Sequence, residues 1–272
     1  MYCGRPWTPG LVNKSEEHPL GESMKRNEKN HPQEQRVVRL GVEFDEFTND
    51  FANVGSPDPR VLKKPLLNLR TRDVCEDCNT GPLKDAQDAA KPVIIQLETV
   101  AASGLALVMS RQQAKDLTLW AQMASLTYEL TSGYIPVGNV EMGSQLSSHE
   151  PLPYSQVWLC RHPRDYDLSI ALAQMDVSAT EVVRPDPPDR RALLTAIVYH
   201  HFSILVFIAN SPGQAWPRLQ GQQWTLLWPL LGVRQPEFCP LRTVSGPELT
   251  EIFMHPGRWI PPVRGPGAGQ AA

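Results

Sequence analysis

Cys75-Glu76-Asp77-Cys78-Asn79-Thr80-Gly81-Pro82-Leu83 is the stretch on which the fold turns. Two thiolates at Cys-x-x-Cys spacing sit on one knuckle and can grip the same Zn²⁺, which prefers four tetrahedral N/S ligands. One such pair is half a site. Upstream, Cys3-Gly4-Arg5 looks like the tail of a second knuckle whose leading Cys would fall one position before Met1. Downstream, Pro82 marks the first turn of a helix, Leu83, Ala86 and Ala90 share one side of it, and Pro92 predicts its stop after about three turns.

At 272 residues and 41% hydrophobic content the chain is long enough for one large domain or two ordinary ones. A net charge of -3 and a pI near 6.2 exclude the global basic field that drives non-specific nucleic-acid binding. Any polyanion contact is therefore local. Arg60, Lys63, Lys64, Arg70 and Arg72 form the one basic run; it is either a solvated face or a track for a phosphate backbone. Five cysteines, at 3, 75, 78, 160 and 239, with no apolar leader, lead us to expect a reduced, cytoplasmic protein. The most apolar run, 192–209, holds His200 and His201 at its centre and is rich in Val, Ile, Tyr and Phe. It reads as two buried strands or one long strand rather than a membrane span.

Texture divides the chain into three. Residues 1–92 are polar and broken, with short candidate strands at 37–42 and 66–69, and small units of this kind usually need a metal to offset the entropy of ordering. Residues 93–262 carry core-forming segments. Ser110 and Gln113 form a capping box for a helix running to about Leu130, in which Leu117, Trp120, Ala121, Ala124 and Tyr128 make one buried stripe that Gly133 can close. Strands are expected at 156–159, 168–175, 194–208 and 224–230, giving a mixed α+β domain. The Gly- and Ala-rich tail, 263–272, has nothing to bury and is expected to be disordered.

Several chemistry-bearing residues have a structural reading. Strand alternation turns one of His200 and His201 inward and the other outward, Cys160 and Cys239 suit buried thiols, and Trp216, Trp224, Trp228 and Trp259 suit core packing. The chemistry is sought instead in Ser15-Glu16-Glu17-His18-Pro19, between the two cysteine segments. A carboxylate beside an imidazole supplies an oxygen ligand and a base, the pairing needed to hydrolyse a phosphodiester with a divalent ion.

The order Cys3-Gly4-Arg5, Ser15 to His18, then Cys75-x-x-Cys78-Asn79-x-Gly81 resembles the His-Asn-His (HNH) endonuclease family, and more narrowly an actinobacterial-type group with a long C-terminal domain. The likeness extends to Ala90-Lys91-Pro92 and Leu119-Trp120-Ala121; its specific motifs cover about 35 residues. It implies an N-terminal ββα-metal module, with His18 as general base and Glu17 as ligand of a catalytic Mg²⁺ or Mn²⁺. Asn79 would be a positioning group, and Cys3, Cys75 and Cys78 would hold a structural Zn²⁺. DNA would be the substrate, and no membrane is involved. Departures accompany the matches: Pro82-Leu83 stands where the group has Trp-Met, Gln87 where it has a helical Glu, and the first knuckle is incomplete. The other expectation is thus a degenerate relative that keeps its zinc knuckle as a nucleic-acid or protein binding module.

Overall fold

The computed structural model describes the backbone of residues 14–17, 35–45, 50–62, 71–130, 136–176, 191–210 and 224–229, and within these ranges the side chains from Val74 onward except those of 163–169, 171 and 173–176. Cys3, His18, 66–69, Gly133, Trp216, Cys239, Trp259 and the 263–272 tail lie outside the described residues.

The architecture is α+β. Strand β1 (Lys14–Glu17) pairs antiparallel with β4 (Thr71–Cys75) in a two-stranded sheet. The larger sheet begins with β2 (Gln35–Asp45), which contains the expected 37–42 strand, and β3 (Asp50–Leu62), joined as an antiparallel pair. From β4 the chain enters a single helical turn, α1 (Glu76–Cys78), a π-helical segment (Asn79–Leu83) and then α2 (Lys84–Ser103). Helices α3 (Arg111–Glu129) and α4 (Val140–Ser147) follow, then β5 (Ser155–Asp176), β6 (Arg191–Ala209) and β7 (Thr225–Trp228). The strands pair in the order β3-β2-β5-β6, with β2 parallel to β5 and β7 also on β5.

Helix α2 does not stop at Pro92. It continues to Ser103 and ends on Gly104 at φ +70°, a left-handed cap. Val93, Ile94, Leu97 and Ala101 extend the buried face begun by Leu83, Ala86 and Ala90, while Pro92 is exposed. Burial of four more apolar side chains offsets the one backbone hydrogen bond that proline removes. Residue 92, taken from the sequence as a boundary, therefore falls inside a helix, and Val74, Cys75 and Cys78 belong to the same core as α2, α3 and the sheet.

The capping box forms as expected: Ser110 Oγ accepts from Gln113 N–H at 3.1 Å and Gln113 Oε1 accepts from Ser110 N–H at 2.8 Å. The single buried stripe of α3 is corrected, because every residue from Leu117 to Glu129 is buried. The helix packs on α2 and on strands β4 to β7, so even its polar side chains must find partners inside. Gln122 does so by donating to Ser155 Oγ and accepting from Leu152 N–H at 3.0 Å, while Trp228 Nε1 donates to the Leu152 carbonyl at 3.1 Å.

Strand β6 is not straight. Asn210 N–H donates to the Arg191 carbonyl at 3.1 Å, although nineteen extended residues would span roughly 60 Å. The Tyr199 and Phe202 ring centroids lie 5.3 Å apart, whereas residues three apart on a continuous strand face opposite ways. The chain thus reverses at His200-His201, where His200 takes φ +43°. The two halves of β5 flank this hairpin, Ser155 to Arg161 beside Phe202 to Ile208 and Ser169 to Asp176 beside Arg191 to Val198. Of the two readings of 192–209, two buried strands is the one adopted, with the histidines at the turn rather than mid-strand. Leu193, Ile197, Tyr199, Phe202, Ile204, Val206 and Ile208 face the helices, and Ala192, Leu194, Ala196, Leu205, Phe207 and Ala209 form a second core with Trp158, Cys160 and Trp224.

Candidate metal knuckle and strand pair

Cys75 closes β4 in an extended conformation, φ -77° and ψ 157°, and Cys78 lies one helical turn further on. Both are 1% exposed. Extended backbone followed at once by a turn of helix turns the two side chains into one core. Two buried thiols at this spacing are a donor set that suits Zn²⁺, whose charge offsets the cost of burying thiolates. The third donor named from the sequence, Cys3, lies outside the described residues, and among the described residues no group of three or more His, Cys, Asp or Glu could hold a metal ion.

Asn79 follows Cys78 in right-handed helical backbone and is half-buried, its N–H donating to the Glu76 carbonyl. It lies within the helical turns rather than ahead of them, so it does not cap the helix N-terminus. Thr80 Oγ1 closes the same turn by donating to the Glu76 carbonyl at 2.9 Å. Gly81 breaks helical geometry at φ -106° and ψ -108°, where Pro82 enters.

The strand register places the remaining candidate. Lys14 lies opposite Cys75, and Glu17 opposite Thr71. Four residues along β4 correspond to about 13 Å. Cys75, Cys78 and Asn79 are therefore brought together at one end of the strand pair, while Glu17, with His18 next in the chain, marks the other. A hard divalent ion held at Glu17 would be a centre separate from the thiol knuckle.

The acidic residues at the start of α2 have other partners. Asp88 Oδ2 accepts from Lys84 Nζ at 2.8 Å, which raises the Lys84 pKa through that hydrogen bond and then through the Asp88 and Asp85 charges. Asp85 Oδ2 lies 3.9 Å from His149 Nε2.

Two polar features escaped sequence reasoning. Glu129 is 1% exposed; its Oε1 accepts from Val137 N–H at 2.8 Å and its Oε2 from Gly138 N–H at 3.2 Å. It borders a cavity of about 150 Å³ lined also by Leu126, Leu130, Pro136 and Val140. His162 Nε2 hydrogen-bonds Ser203 Oγ across β5 and β6, both residues being buried. A lone acid at the end of an apolar helix and a His beside Pro163 carry no periodic signal. No helix among the described residues is long and apolar enough to cross a membrane. No protein-family profile, no curated protein and no solved structure matches this chain.

Proposed function

We propose that the N-terminal part of this chain is an HNH-like module that hydrolyses phosphodiester bonds in DNA, stapled by Zn²⁺ on Cys3, Cys75 and Cys78. The observation that supports this reading is the succession of elements. A strand ending at Glu17 pairs antiparallel with β4, and β4 runs directly into a buried Cys75–Cys78 knuckle and then into helix. Strand, strand and helix in that order are what a ββα-metal unit requires.

In this reading His18 takes a proton from the attacking water. Glu17 would hold a Mg²⁺ or Mn²⁺ ion, which when bound supplies positive charge against the phosphate and the leaving oxygen. Asn79 positions the helix start at the knuckle end of the strand pair.

The second reading, a catalytically silent binding module, draws support from α2: Gln87 replaces a carboxylate, and Asp85 and Asp88 are turned to His149 and Lys84. Plasmid cleavage with Mg²⁺ or Mn²⁺ separates the two. The nuclease reading expects cleavage by the wild type and its loss in His18→Ala with zinc content unchanged. A folded, zinc-loaded wild type that leaves the plasmid intact sinks it and leaves the binding module standing.

A further inference from the structure

We propose that the cavity between the end of α3 and the start of α4 binds a small primary ammonium compound with an apolar body. The cavity has a volume of about 150 Å³, and its walls include Leu126, Leu130, Pro136 and Val140, with Glu129 beside them. Close-packed interiors leave few spaces larger than a water molecule, and an apolar space of this size holds a ring of about six carbons. Val140 is 56% exposed, which gives the cavity an apolar rim within reach of solvent. The body of the ligand is set by these walls.

Its head group is set by charge. Glu129 is the one ionisable side chain among the described lining residues, and it is 1% exposed. A charge so placed acts on its neighbours with little screening by water. Helix α3 ends here with no basic residue in its last turn, and the carbonyls of that turn add to the negative potential. Helix α4 contributes Glu141 in its first turn and has no basic residue. The N–H groups that could attract an anion already have acceptors within the chain. Val137 and Gly138 donate to Glu129 at 2.8 and 3.2 Å, and Met142 donates to Asn139 Oδ1 at 2.9 Å. A carboxylate ligand would compete with Glu129 and be repelled by it. A neutral ligand would gain the walls alone, whereas an ammonium gains both walls and charge. The proposal does not depend on the nuclease reading.

Amide NMR titration of the full chain at neutral pH, with benzylammonium as the probe, tests it. The expected result is saturable shifts at Gly138, Val140 and Gly143 with a Kd on the order of 1 mM, as suits a ligand of this size. Benzyl alcohol should bind about fivefold more weakly, and benzoate should not saturate. Val140→Trp, at an exposed position, should crowd the rim and weaken benzylammonium by about fivefold or more. Glu129→Gln should remove the preference for benzylammonium over benzyl alcohol. If that variant does not fold, the three ligands on the wild type and the Val140→Trp titration still decide the matter. Shifts that do not saturate by about 20 mM, benzoate or benzyl alcohol binding as tightly as benzylammonium, or binding indifferent to Val140→Trp would each overturn the assignment.

Discussion

Replacing Glu129 by alanine removes the acceptor for two backbone N–H groups in one step. Val137 is 2% exposed and Gly138 is half-buried, and their N–H groups meet Glu129 Oε1 at 2.8 Å and Oε2 at 3.2 Å. Each donor left unsatisfied costs about 1–3 kcal/mol, and hydrogen bonds to a charged acceptor lie toward the upper end. The neighbouring cavity of about 150 Å³ is large enough to admit a water that recovers part of one bond. A net loss of about 3–5 kcal/mol follows. Glutamine keeps one acceptor but sets its amide N–H₂ against a donor, so Glu129→Gln should lose about half as much. Urea unfolding curves, analysed with a common slope, measure both variants. Thermal melting should show a fall of roughly 6–20 °C for the alanine variant at this chain length. The reasoning fails if Glu129→Ala stays within about 1 kcal/mol of wild type, or if glutamine is as damaging as alanine, since then acceptance by the carboxylate is not what holds the segment before α4.

Three further expectations follow from the same structure. Pro92→Ala should stabilise the protein by about 1–3 kcal/mol, because it returns an N–H to an α2 position that already has helical backbone and exposed surroundings; a neutral or destabilised melt would mean the helix is adapted to the ring. Cys78→Ser should lower bound zinc and also loosen α2 and α3, because Cys75 and Cys78 share their core. Hydrogen exchange confined to residues before 84 would contradict that coupling. Lys84 has its pKa raised by Asp88, so its contribution is fully present below the unfolded value of 10.5 and is lost as pH rises through the higher folded value. Because the pair is fully exposed its effect on stability is small. NMR titration of the Lys84 ammonium should show the value fall in Asp88→Asn, and an unchanged titration would remove Asp88 as the cause.

Local rules were legible in the sequence because they act within a few residues. Ser110 and Gln113 announce a capping box that forms with the bonds expected of it. The strands within β2, β5 and β6 and the α+β class were readable from alternation and apolar runs for the same reason. Tertiary structure decided what depends on who packs against whom. Pro92 reads as a stop, yet Val93, Ile94, Leu97 and Ala101 continue a buried face and the helix runs on. Helix α3 reads as amphipathic, yet it is enclosed by helix and sheet, and Gln122 and Glu129 become internal hydrogen-bonding partners. The 192–209 run left one long strand or two open; a reversal at His200-His201, flanked by both halves of β5, settles it as two. Periodicity records which side of a segment is apolar, but the number of sides buried, and the partner that buries them, is set by long-range packing.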